Sequence, residues 1–133
     1  MSRQLNRNYR TAELPDESVI GISLGQRRKQ IQAVCQAIVN KFKPEKIVLF
    51  GSFAYGKPTL DSDVDLLIVM PFEGSPFRQA SELLSHIINT VGILPLDLLV
   101  RTTEQISERL QIGDRFIREI LERGKVMYEK DHA

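Results

Sequence analysis

Apolar positions along this chain follow two different periods. From Arg27 to Phe42, Ile31, Val34, Cys35, Ile38, Val39 and Phe42 fall three and four apart with polar residues between them. That spacing predicts an amphipathic helix, which must stop before Pro44. Ile47–Phe50 is a short, wholly apolar, β-rich run closed by Gly51, and it reads as a buried strand. Leu66–Met70 repeats the pattern and is closed by Pro71. Between these runs lies GSFAYGKPTLDSDVD, a connection rich in Gly, Pro and Asp with room for one helical turn after Ser52. Ser75-Pro76 has the form of an N-cap followed by proline at the first helical position. Phe77, Ala80, Leu83, Leu84, Ile87, Ile88 and Val91 then give the clearest helical periodicity in the chain, ended by Gly92. Leu96–Val100 is a third strand, apolar except for Asp97. Thr102 or Thr103 caps a short helix through Leu110, Phe116–Leu121 marks a last helix ended at Gly124, and Val126–Tyr128 reads as a short edge strand.

The order is helix, strand, turn, strand, helix, strand, helix, helix. It predicts an α/β (α+β) domain, a small mixed β-sheet with helices packed on one face, over residues 26–130. Residues 1–25 lack sustained periodicity and contain Pro15, Gly21 and Gly25, so they are expected to form an N-terminal arm. Val19, Ile20, Ile22 and Leu24 would pack that arm on the domain or on a partner. The length of 133 residues fits one domain with one core, and no internal repeat appears.

Composition narrows the chemistry. With 18 Lys and Arg against 17 Asp and Glu, the net charge is +1, so direct nucleic-acid binding and an acidic-tail function are not expected. The three-residue cluster Arg27-Arg28-Lys29 reads as a solvated helix face. The single cysteine, Cys35, sits on an apolar stripe and excludes both an intrachain disulfide and a cysteine metal cage. No apolar run approaches the ~18 residues of a membrane span, and the polar N-terminus lacks the apolar core of a signal peptide. A cytoplasmic domain with no membrane contact is expected.

Three features then converge. Gly51-Ser52 ends the first strand, Asp63-Val64-Asp65 opens the second, and Asp97 interrupts the third. A strand period of two turns Asp63 and Asp65 to the same side. Two carboxylates on one side repel unless a cation neutralises them, and oxygen-only ligation suits Mg²⁺ completed by phosphates. Asp97 is costly on a buried strand unless it is paired or bound to metal. Three carboxylates around two metal ions activate a hydroxyl and stabilise a leaving phosphate, and the third is then the natural general base. Glycine admits close backbone approach, and the first N–H groups of a helical turn with the Ser52 hydroxyl can hold phosphate oxygens. Asp61, Asp63 and Asp65 imitate the start of a calcium loop, but Leu66 and Phe72 stand where that loop needs Gly and Glu. GSFAYGKPT is not a P-loop, because Pro58 interrupts it.

GSFAYGKPTLDSDVDLLIV resembles the signature of the DNA polymerase β-like nucleotidyltransferase superfamily: Gly-Ser, ten residues, Asp-x-Asp, then apolar residues. The acidic strand LPLDLLV and the tail VRTTEQISERLQIGDRFIREILERGKVMYE are similar to the minimal nucleotidyltransferases (MNT) of bacteria and archaea, over roughly residues 27–129. The resemblance implies a nucleotidyltransferase fold, nucleotide contacts from Gly51 and Ser52, and Mg²⁺ binding, with two ions, by Asp63, Asp65 and Asp97. The same three carboxylates would be the catalytic residues, with ATP as substrate. It also implies a partner, a HEPN-domain ribonuclease toxin in a hetero-oligomer, neutralised by AMP transfer to a toxin tyrosine. Tyr55 stands where members of the group often carry Arg, which removes whatever contact that Arg makes.

The expected function is therefore antitoxin-type AMP transfer from ATP to a partner hydroxyl. The alternatives are nucleotidyl transfer to a small molecule such as an aminoglycoside, and neutralisation of the partner by binding alone. Outside this constellation, Lys57 reads as a solvated loop lysine and His86 as a structural or surface residue. Arg101 is open between a surface role and a triphosphate or partner contact.

Overall fold

The computed structural model describes residues 22–131. The arm expected over the first 25 residues therefore lies, up to residue 21, outside the described residues. Helix α1 spans Leu24–Phe42, beginning three residues before the apolar stripe predicted. Its start is set by a reciprocal cap: the Gln26 N–H donates to Ser23 Oγ at 3.1 Å, and the Ser23 N–H donates to Gln26 Oε1 at 2.8 Å. Lys43, in the left-handed conformation just before Pro44, closes the helix.

Strand β1 (Lys46–Phe50) is followed at once by a single helical turn, α2 (Ser52–Tyr55), and then by β2 (Val64–Val69). Helix α3 (Pro76–Thr90) starts where the Ser75-Pro76 pair predicts, with Ser75 Oγ accepting the Arg78 N–H at 3.0 Å. Strand β3 (Leu96–Arg101) leads through a Thr102/Gln105 capping box into α4 (Thr103–Gln111). Asp114 caps α5 (Arg115–Arg123), and β4 (Lys125–Glu129) closes the chain.

Among the described residues, four strands form one mixed sheet in the order β3-β2-β1-β4. β1 pairs antiparallel with β2 and with β4, while β2 and β3 run parallel. Strand alternation divides the apolar residues between the two faces. Ile47, Leu49, Val64, Leu66, Ile68 and Val100 join Ile31, Val34, Cys35 and Ile38 of α1 and Leu83 and Ile87 of α3 in the larger core. This is the expected layer of helices over a mixed sheet. Burial there pushes the Cys35 thiol up to about 11, so it is an inert core residue. The opposite face carries a second cluster: Val48, Phe50, Leu67 and Val69 meet Ile106 of α4 and Ile117 and Ile120 of α5. The C-terminal helices thus cover the other face of the sheet, and the candidate site opens beside them.

A candidate nucleotidyl-transfer site at one end of the sheet

Because β1 and β2 are antiparallel, the end of one lies beside the start of the other, and Phe50 pairs with Asp65. Because β2 and β3 are parallel, the starts of both lie together, and Asp65 pairs with Asp97. The Val64 N–H donates to the Pro95 carbonyl at 2.9 Å and pins this register just outside the paired residues. Adjacent strands sit about 5 Å apart, so Gly51-Ser52, Asp65 and Asp97 gather at one end of the sheet. Asp65 and Asp97 share the face of Leu67 and Leu99, the face that α4 and α5 cover.

Gly51 fixes how closely the turn approaches Asp65. Its φ is +72° with ψ −155°, a conformation that side chains rarely adopt, and a Cβ there would overlap Asp65 Oδ2. The Gly51 carbonyl accepts the N–H groups of both Ala54 and Tyr55 at 3.0 Å. The N–H groups of Ser52 and Phe53, at the start of the turn, have no acceptor within it. A cation from α1 braces the turn: the Arg28 guanidinium donates to the Phe53 carbonyl at 3.3 Å and lies over the Phe53 ring at 5.4 Å. Arg28 is thus a positioning residue rather than part of a purely solvated face. Nothing in the local sequence marks it, because its partner is 25 residues away.

Asp65 is half-buried, whereas Asp63 and Asp97 are exposed. Burial, the charge of Asp97 and the charge of Asp63 together push the Asp65 carboxyl above its ordinary range. Asp63 and Asp97 therefore both act electrostatically on Asp65. Asp97 departs from the sequence expectation in one respect. Its strand is apolar but lies at the edge of the sheet, so the side chain faces solvent and avoids the desolvation cost expected of a buried strand.

The donor set can be tested against a divalent cation. Among the described residues, no three carboxylate, thiol or imidazole groups close into a metal cage. Mg²⁺ does not require one: it is commonly held by one or two carboxylates while substrate phosphates and water complete its shell. Carboxylates that burden Asp65, beside a turn whose first N–H groups have no acceptor within it, fit a cation that arrives with a phosphate chain.

Tyr55, in place of the often-found Arg, packs against the second cluster, with the Arg123 guanidinium 4.3 Å over its ring. Lys57 is exposed. His86 lies far along α3, edge-on to Phe42 with ring centroids 5.8 Å apart, away from the carboxylates.

Residues 28–127 match the nucleotidyltransferase domain family. The chain belongs to that family. Two candidate protein adenylyltransferases of Methanocaldococcus jannaschii are similar to it. One is 30% identical over 102 residues, covering 75% of this chain and 96% of the relative. The other is 33% identical over 63 residues, 47% of this chain and 62% of the relative. Two solved structures share the fold. A candidate nucleotidyltransferase from Sulfolobus solfataricus superposes with a TM-score of 0.57 at 16% identity, covering 92% of this chain and 96% of that one. A candidate minimal nucleotidyltransferase superposes with a TM-score of 0.52 at 21% identity, over 78% of this chain and 95% of that one. In this nucleotidyltransferase domain no described helix is long and apolar enough to cross a membrane.

Proposed function

We propose that this nucleotidyltransferase domain transfers AMP from ATP to a hydroxyl of a partner protein, and that its site is Gly51, Ser52, Asp63, Asp65 and Asp97. The observation that carries the reading is the register that sets Asp97 beside Asp65 and Asp65 beside the Gly51-Ser52 turn.

The turn offers the Ser52 and Phe53 N–H groups and the Ser52 hydroxyl to the β- and γ-phosphate oxygens. Asp63, Asp65 and Asp97 fit Mg²⁺, which when bound would supply charge neutralisation at the phosphates. Asp97, exposed at the edge strand, accepts the proton of the attacking hydroxyl. The hydroxyl oxygen forms a bond to the α-phosphorus. The bond from that phosphorus to the bridging oxygen breaks, and pyrophosphate leaves with the electron pair.

A protein acceptor is supported by the first relative, a candidate protein adenylyltransferase matched across 96% of its length. It is also supported by the edge position of Asp97, where no strand among the described residues covers the approach of a large acceptor. The tail resemblance to the minimal group points to a tyrosine of a HEPN-domain toxin, with this chain as its antitoxin.

The test is neutralisation in cells. The chain is co-expressed with the HEPN-domain protein proposed as its partner, as wild type and as Asp63→Ala/Asp65→Ala. Wild type restores growth and the double variant does not. Full protection by the double variant, with a complex still formed, would replace transfer by neutralisation through binding alone.

A further inference from the structure

The carboxylates take up only one end of the sheet face. Further along the edge strand on the same face lies a cleft of about 380 Å³, lined by Leu99, Arg101, Arg109, Asp114, Phe116 and Ile117. That volume lies in the range of about 300–1,000 Å³ typical of small-molecule sites. Asp97, Leu99 and Arg101 project from one face of β3, which puts Leu99 about 7 Å and Arg101 about 13 Å along the strand from Asp97. Phe116 on α5 is 54% exposed, although the apolar neighbours Ile117 and Ile120 are buried. Its ring meets Phe50 edge-on, with centroids 5.8 Å apart, and Phe50 is the register partner of Asp65. One aromatic contact therefore separates the wall of the cleft from the carboxylates.

We propose that this cleft receives the nucleoside half of the donor nucleotide, with Phe116 as the stacking wall; the proposal rests on the nucleotidyl-transfer reading above. Direction selects the occupant. Displacement at phosphorus is in line. The leaving pyrophosphate lies toward Gly51-Ser52 at the end of β1, so the acceptor enters from the far side, beyond β3, where Asp97 is exposed. The nucleoside must leave the phosphorus across that line, along the strands. One way runs off the end of the sheet. The other runs inward over Leu99 to Phe116, across an apolar floor and past an aromatic face.

The rim is rich in donors. Asp114 is already engaged, with Oδ2 accepting Arg109 Nε at 2.8 Å and Oδ1 accepting the Ile117 N–H at 3.0 Å. Arg101 Nη1 donates to its neighbour's carbonyl, Val100 O, at 2.7 Å. The remaining guanidinium N–H groups suit the acceptor nitrogens of a purine and the ribose oxygens.

Calorimetric titration of the full chain tests this with two probes, ATP and inorganic tripolyphosphate, both with Mg²⁺. Wild type binds ATP more tightly than tripolyphosphate. Phe116→Ala weakens ATP about tenfold, as the loss of one stacked base predicts, and leaves tripolyphosphate unchanged. Phe116→Trp restores ATP binding. Leu99→Trp, which fills the floor, also acts on ATP alone. Unchanged ATP affinity in Phe116→Ala would overturn the proposal, and so would equal loss of both probes or equal wild-type affinity for both. Failure of wild type to bind either probe would instead remove the nucleotidyl-transfer reading beneath it.

Discussion

Asp65 bears the electrostatic cost of the site. It is half-buried, two other carboxylates act on it, and its pKa is raised. With a folded-state value above the unfolded one, the native state binds more protons in the window between them. The metal-free protein is therefore least burdened below the ordinary carboxylate range and loses stability as pH rises through the raised value. Asp65→Asn is expected to raise Tm of the EDTA-treated protein at neutral pH while reducing transfer to background. A lower Tm in thermal denaturation would mean that the charge is already compensated. Gly51→Ala acts on the same contact from the other side. A side chain at φ +72° overlaps Asp65 Oδ2, so urea denaturation should show a loss of about 1–3 kcal/mol together with loss of transfer. The Gly-Ser to Asp-x-Asp spacing was legible in the chain, because each residue type carries its chemistry in its own side chain. The bracing by Arg28 was not, because it depends on α1 crossing the α2 turn.

At the scale of elements, caps and periods carried most of the fold. Ser75-Pro76, Thr102 and the glycine after α5 stand where their physical chemistry places them. The start of α1 was missed because Leu24 and Gly25 lie outside the apolar stripe, although the Ser23/Gln26 pair marks it. The order of strands was not readable either. Whether Asp97 is buried or at an edge depends on which strand pairs outside β3, and local sequence does not encode that. The second cluster escaped for a similar reason: α4 and α5 are short, and their stripes do not say which sheet face receives them. Ile120 is fully buried between α5 and the sheet. Ile120→Ala should cost about 2–5 kcal/mol in denaturant unfolding. It should also weaken ATP binding, since α5 carries Phe116. Loss of stability with intact ATP affinity would separate α5 from the site.

The described residues form one sheet with two unequal cores, and the candidate site lies at one end of it. The larger core of α1 and α3 fixes the strands, and the smaller one sets α5 beside the carboxylates. One edge strand, β3, carries Asp97 into the open. Among the described residues, that division leaves the Asp97 edge uncovered, as the proposed protein acceptor requires, while α5 walls the sheet face behind it.

The most direct test follows the phosphorus atoms. The chain and the HEPN-domain protein proposed as its partner are incubated with Mg²⁺ and ATP labelled at either the α- or the γ-phosphate, beside Asp63→Ala/Asp65→Ala. Label from the α-position should stay on the partner, label from the γ-position should leave as pyrophosphate, and the double variant should transfer neither. Retention of the γ-label, or α-label transfer that survives the double substitution, would contradict nucleotidyl transfer at this site.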